Sequence, residues 1–182
     1  MSLEPLLSHI DPQGAIPPLE RWNPPLSGDM DLVIAADGRW IHEGAAISRP
    51  QLARLLSTLL RREDDGEYYL VSPQEKWHVR VEDRPFLIVL AEYEHDVWHM
   101  TTNVGDRVTL DASHGLQLSD TRRGEQIPEV AIRFGLTARL NRNVFYRLSD
   151  VAETRRMGAR IEMGFMSAGA WQLLGYLDDD GS

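Results

Sequence analysis

Two stretches decide how this chain is read: Ile47-Ser48-Arg49-Pro50-Gln51-Leu52-Ala53-Arg54-Leu55 and Leu140-Asn141-Arg142-Asn143-Val144-Phe145-Tyr146-Arg147-Leu148. Each opens on an apolar residue suited to end a strand. A capping-type residue follows, then an arginine in the first helical turn. Each closes on Arg-Leu, and the pairs Arg49/Arg142 and Arg54/Arg147 keep the same spacing. In the first stretch Leu52, Leu55, Leu56, Leu59 and Leu60 recur at helical intervals. Ser48 and Gln51 form an S-x-x-Q capping box, Pro50 fits the first turn, and Gly66 after Asp64-Asp65 marks the expected stop. The second stretch predicts a helix over about residues 143–155.

Outward from these helices the pattern turns to strands. Residues 30–36 and 39–43 flank Asp37-Gly38, a strong hairpin signal, and residues 67–71 and 76–81 flank Ser72-Pro73-Gln74. In the second half, residues 86–93, 97–102, 107–110, 116–118, 130–134, 136–140, 160–166 and 171–176 read as strands. Both helices lead into a hairpin whose returning strand carries a tryptophan, Trp77 or Trp171. The shared order predicts an internal duplication. We therefore expect an α+β protein of two related domains of hairpin-helix-hairpin type. The first, residues 1–83, has an extended lead-in carrying Pro12, Pro17, Pro18, Pro24 and Pro25 after a short helix. The second, residues 84–182, is the larger, a mostly antiparallel sheet or partial barrel with one helix. Asp178-Asp179-Asp180-Gly181-Ser182 reads as a frayed acidic tail.

Composition narrows the function classes. The chain of 182 residues has no cysteine, which excludes disulfides, thiol nucleophiles and thiolate metal sites. A net charge of −9 argues against nucleic acid as a partner, and no apolar run reaches the roughly 20 residues of a membrane span. Met1-Ser2-Leu3-Glu4-Pro5 lacks the basic region of a signal peptide, so the expected location is cytoplasmic.

Candidate chemistry is sparse. No phosphate-loop, dinucleotide, zinc-protease or nucleophile-elbow motif occurs, so no catalytic residue, metal site or cofactor is assigned. His95, Asp96 and His99 lie near one turn without a helix to align them as ligands. His42 and Glu43 are the alternative, an acid–base pair, but neighbours in one strand point to opposite faces. Arg49 and Arg142 stand at helix starts, where the dipole already favours anions. Two explanations fit: a salt bridge to Glu75, Glu82 or Asp83, or a phosphate or carboxylate held by arginine and helix amides. Arg133 and Arg139, on strands leading to the second helix, could extend such a site. A cleft between two domains is a preferred place for it.

The motifs D-G-x-W-x-H-E-G-x-x-I-x-R (residues 37–49), D-G-x-Y-x-L-V-S-P-x-E-K (65–76), V-E-D-x-P-F (81–86), T-N-x-G-D (102–106) and A-R-L-x-R (138–142) resemble an uncharacterised proteobacterial domain-of-unknown-function family. The resemblance implies a duplicated core, a pleckstrin-homology-like C-terminal domain and a nucleotide-like ligand between the domains in signal transduction. The matching motifs contain His42, Glu43, Arg49, Glu75, Lys76, Asp83, Asn103, Arg139 and Arg142. Any of these could instead hold the halves together. The expected protein is a non-enzymatic ligand-binding or regulatory one, taking an anion through Arg49, Lys76, Arg139 and Arg142. A protein-interaction module without a small ligand is the further alternative, and its partner is unknown from sequence.

Overall fold

The structure, a computed structural model, describes residues 3–178, so residues 179–182 of the expected acidic tail lie outside the described residues. It is mostly sheet with few helices and falls into two units, Met1–Pro85 with Arg133–Leu136, and Phe86–Ile132 with Thr137–Ser182.

The first unit begins with α1 (Glu4–Leu7) and a 3₁₀ turn at Leu19–Arg21. Then come β1 (Gly28–Ile34), β2 (Trp40–His42), β3 (Ala45–Ala46), α2 (Pro50–Ser57), β4 (Leu60–Arg62), β5 (Tyr68–Val71) and β6 (Lys76–Val81). The strands form one sheet in the order β3-β2-β1-β6-β5-β4. The β1–β6 pair is parallel and its neighbours are antiparallel. Leu32, Ile34, Trp40, Leu56, Leu59, Leu60, Leu70 and Val79 fill the core. Arg61 pins the proline-rich lead-in: Nη1 donates to the carbonyls of Leu19 (2.8 Å) and Trp22 (2.7 Å).

The second unit holds β7 (Phe86–Glu94), β8 (Val97–Thr102), β9 (Arg107–Thr109), β10 (Gln117–Asp120), β11 (Gln126–Arg133) and β12 (Leu136–Leu140). Then follow α3 (Arg142–Val151), β13 (Glu153–Met157), β14 (Arg160–Ser167) and β15 (Ala170–Leu177). One sheet runs β10-β11-β12-β7-β8-β9, and a three-stranded antiparallel sheet runs β13-β14-β15. Phe86, Ile88, Met100, Leu110, Leu140, Leu148, Phe165 and Leu174 are buried.

The duplication is present, but it runs through strand order and not through the two helix starts. In each six-stranded sheet two three-strand blocks meet at one parallel pair: the first strand of one block (β1 or β7) lies beside the last strand of the other (β6 or β12). On this correspondence β1–β6 match β7–β12. Helix α2 lies between the blocks of the first sheet, whereas α3 follows the whole second sheet. Arg49 and Arg142 are therefore not topological equivalents. The similar sequence windows reflect a local resemblance, since each helix leads into a three-strand antiparallel meander.

Both helices are shorter than their periodicity predicts. At the end of α2 the hydroxyls of Ser57 and Thr58 donate to the carbonyls of Arg54 and Leu55 at 2.6 Å. The amides of Thr58 and Leu59 then reach back three residues, and the amide of Val71 donates to the Leu59 carbonyl. Leu59 and Leu60 thus enter the core from the turn into β4 and the first residue of that strand, and not from another helical turn. Ser48 forms no capping box: Arg49 is the N-cap residue, and its carbonyl accepts from Leu52 and Ala53. Helix α3 starts as expected, with Asn141 accepting from the Val144 amide at 2.8 Å, but stops at Val151 because β13 pairs with β14.

Candidate functional site

The nine residues singled out from sequence divide between the two units, and several are committed within their own unit. Lys76 donates to Glu63 at 2.9 Å and lies 4.7 Å from the Tyr69 ring centre. Arg133 donates to the carbonyl of Ser57 at 3.0 Å. Arg139 is buried, with its guanidinium on the carbonyls of Ile127 (2.7 Å), Ser119 (3.3 Å) and Asp120 (3.4 Å). Asp83 is paired with Arg84 at 3.8 Å. Asn103 accepts from the Leu87 amide at 3.0 Å while its own amide donates to the Leu87 carbonyl, fastening the turn after β8 to β7. Arg49 and Arg142 are exposed, and among the described residues no carboxylate lies within 4.0 Å of either guanidinium.

His42 and Glu43 do not sit on opposite faces of a strand. Strand β2 ends at His42, and Glu43 (φ 51°) and Gly44 (φ 80°) make the left-handed turn into β3. The turn brings the Glu43 carboxylate to 3.9 Å from His42 Nε2, beyond hydrogen-bond reach. That nitrogen and Trp40 Nε1, two residues earlier on the same face, are buried without a hydrogen-bond partner.

A network of ionisable groups links β4, the turn that follows it, β5 and β6. Glu63 takes Arg61 at 2.7 Å and Lys76 at 2.9 Å. Burial would raise its pKa, but the bonds from Lys76 and Arg61 outweigh burial and hold it below the ordinary carboxylate value. The Tyr69 hydroxyl donates to Asp65, and this bond together with burial pushes the phenol up to about 12 from its ordinary 10.0. The folded state favours the neutral phenol. Its stabilising contribution is therefore present below about pH 10 and disappears as pH rises towards 12. An ultraviolet titration of tyrosinate should show a latest-ionising tyrosine near pH 12, absent in Tyr69→Phe and shifted down in Asp65→Asn. These interactions tie neighbouring strands together.

A concave site lies elsewhere, wholly in the second unit: an open groove of about 750 Å³. Strands β10 and β15, each the end strand of its sheet, contribute its walls through Gln117 and Leu118 on one and Leu173, Tyr176 and Leu177 on the other. Leu116 adds apolar lining, Gln126 an amide, the turn between β13 and β14 adds Ala159, and the first residue of β14 adds Arg160. The Arg160 guanidinium lies 4.9 Å from the centre of the exposed Tyr176 ring. Asp178 borders the groove, yet among the described residues no carboxylate comes within 4.0 Å of Arg160. The groove thus offers apolar walls, two side-chain amides and one cation steadied by an aromatic face. None of the nine expected residues lines it. The strand periodicity located Arg160 and Tyr176, but their meeting depends on the β14–β15 register, in which Tyr176 faces Glu162 and Arg160 is the diagonal neighbour.

These features define a class: a protein of two related, sheet-built units with a groove at strand edges of the second. Residues 17–84 match the N-terminal domain, and residues 85–174 the C-terminal domain, of the family described as a domain or protein of unknown function, DUF1285. The chain belongs to this family. It is similar to the crystal structure of a DUF1285 family protein from Silicibacter pomeroyi DSS-3, at 35% identity and TM-score 0.83, over 97% of this chain and 96% of that one. It is also similar to the crystal structure of a DUF1285 family protein from Shewanella baltica OS155, at 28% identity and TM-score 0.54, over 66% of this chain and 91% of that one. No curated protein matches the chain. Among the described residues no helix is long and apolar enough to cross a membrane, and no group of three or more acidic or histidine side chains is placed to hold a metal ion.

Proposed function

We propose that this chain is a non-enzymatic ligand-binding protein of the cytoplasm, with a regulatory role, and that its second unit takes an anionic ligand in the groove at β10 and β15. We read that unit as pleckstrin-homology-like, with α3 packed against both of its sheets through Val144 and Leu148. The observation that carries the proposal is Arg160, a cation on an apolar-walled groove, stacked on Tyr176 and without a carboxylate partner among the described residues. A guanidinium so placed is ready to take a phosphate or carboxylate bidentately. Leu118, Leu173 and Leu177 can cover the apolar body of a nucleotide-like ligand, and Gln117 and Gln126 can hydrogen-bond its polar edges. Exposed Arg142, at the start of α3, is the competing anion site on this unit.

Thermal shift against pyrophosphate and nucleoside di- and triphosphates at millimolar concentration tests this. A binding anion at a hundredfold excess over its Kd should stabilise the protein by about 2.7 kcal/mol. The rise in Tm should vanish in Arg160→Ala and persist in Arg142→Ala. No stabilisation by any anion, or an undiminished response in Arg160→Ala, overturns the proposal.

A further inference from the structure

The geometry points to a second copy of this chain as the partner of the exposed edge of β13, joined about a twofold axis at Thr154 so that two three-stranded sheets become one. The first observation is the edge. The other end strands are short or already faced. Strand β3 has two residues and β9 three, the Arg62 amide of β4 donates to the Phe134 carbonyl, and β10 and β15 lie against each other at the groove. Strand β13 has five residues, all exposed, and pairs with β14 and no second strand. Unpaired main-chain groups along such an edge are a template for another strand.

The second observation is the charge order, Glu153-Thr154-Arg155-Arg156-Met157. Residues directly opposite in an antiparallel pair share a face, so the twofold axis must pass through one residue and its own copy. An axis at Glu153, Arg155 or Arg156 sets two like charges directly opposite, which is destabilising. An axis at Met157 sets Arg155 and Arg156 against the β13–β14 turn and not against a strand. With the axis at Thr154, Glu153 of each copy stands opposite Arg155 of the other, giving two unlike pairs on one face. Arg155 is held ready for this: its Nε donates to Glu162 at 3.0 Å and its guanidinium lies 4.3 Å from the Trp171 ring centre. Among the described residues no other carboxylate lies within 4.0 Å of it, so its Nη donors can take a second one.

The third observation is the pair of exposed apolar side chains at the two ends of the strand. Val151, the last residue of α3, is 51% exposed and Met157, the last of β13, is 52% exposed. They lie equally far from Thr154 along the chain, on opposite sides. The axis that matches the charges therefore also brings Met157 of each copy to Val151 of the other. Charges on an edge strand ordinarily repel indiscriminate pairing. Here the same charges admit one register with one partner.

The test uses the full chain. Sedimentation velocity up to about 1 mM protein should show a reversible monomer–dimer equilibrium, since one strand pair makes an interface in the weak, transient range. Glu153→Arg, at an exposed position, sets arginines opposite in both pairs and should raise the Kd of the dimer about tenfold or more. The chain has no cysteine, so Thr154→Cys supplies a lone thiol on the axis. Residues directly opposite in antiparallel strands have Cα atoms about 4.5–5.5 Å apart, within disulfide reach. Mild oxidation should therefore link Thr154→Cys into a covalent dimer. Arg156→Cys, whose two thiols stand well out of register, should stay largely unlinked. A protein that remains monomeric at that concentration overturns the inference and leaves the edge to a strand of a different protein. Equal cross-linking of Thr154→Cys and Arg156→Cys overturns it too. So does a dimer that Glu153→Arg leaves undiminished, because the copies then associate through another surface.

Discussion

Gly164→Ala should destabilise the second unit by about 3 kcal/mol or more, at the upper end of what overpacking costs. Gly164 lies in β14 where its pairing with β15 slips by a residue between Met163 and Gly164, and Leu174 is the residue left over. A side-chain carbon on Gly164 would stand 2.3 Å from the Gln172 carbonyl oxygen and 2.7 Å and 2.8 Å from carbons of the Trp171 ring. The nearest of these atoms is backbone and cannot rotate away. The neighbours are also committed: buried Gln172 accepts from the Leu116 amide at 2.9 Å and donates to the Asp111 carbonyl at 3.2 Å, and the Trp171 ring carries Arg155. Relief would have to come from opening the β14–β15 pair and uncovering buried Leu174 and Phe165. For a chain of this length, 3 kcal/mol lowers Tm by roughly 6–12 °C. Thermal unfolding followed by circular dichroism checks it, and a Tm within a degree of wild type would refute the packing account. Gly175→Ala on the neighbouring strand, with nothing within 4 Å of the added carbon, is the control and should cost far less.

What the sequence discloses follows from how local each signal is. Asp37-Gly38, Glu94-His95-Asp96 and Ser167-Ala168-Gly169 sit at the turns they predict, because a chain reversal depends on a few residues; Gly38 (φ 91°) and Gly169 (φ 74°) take left-handed conformations there. Strand β13 leaves no such mark. Glu153, Thr154, Arg155, Arg156 and Met157 are all exposed, so neither face carries an apolar alternation, and only pairing to β14 makes them a strand. The parallel joins β1–β6 and β7–β12 are equally silent, since they unite segments dozens of residues apart. For the same reason the helix starts, the most visible similarity in sequence, pointed to the wrong equivalence. The groove is invisible for a related reason: Gln117 and Leu173 become neighbours only through two sheets. The charges of Lys76 and Arg139 can be read from sequence. The acceptors that occupy them, Glu63 and three backbone carbonyls, cannot.

Arg139→Met should cost about 2–4 kcal/mol even though it keeps most of the side chain's apolar length, since buried carbonyls lose a charged donor. Arg139 is buried (4% exposed) on β12, and its Nη1 serves Ile127 at 2.7 Å and Ser119 at 3.3 Å while Nη2 serves Asp120 at 3.4 Å. Ser119 and Ile127 are register partners on β10 and β11. One guanidinium therefore ties the end strand of the sheet to its neighbour from a strand further in. Lysine should not rescue it: an ammonium on a flexible stem cannot reproduce a planar fork aimed at three carbonyls. Arg139→Lys is thus expected to recover less than half the loss, measured by urea unfolding with an unchanged m-value. A structural arginine and a ligand arginine part company here. If Arg139 serves the fold, Arg139→Met lowers stability with and without anions and leaves the anion-induced rise in Tm intact. If it serves a ligand, Arg139→Met leaves the ligand-free protein as stable as wild type and abolishes the rise. The hydrogen bonds to Ile127, Ser119 and Asp120 select the first outcome, and they leave Arg160 as the arginine at the groove positioned to meet an anion.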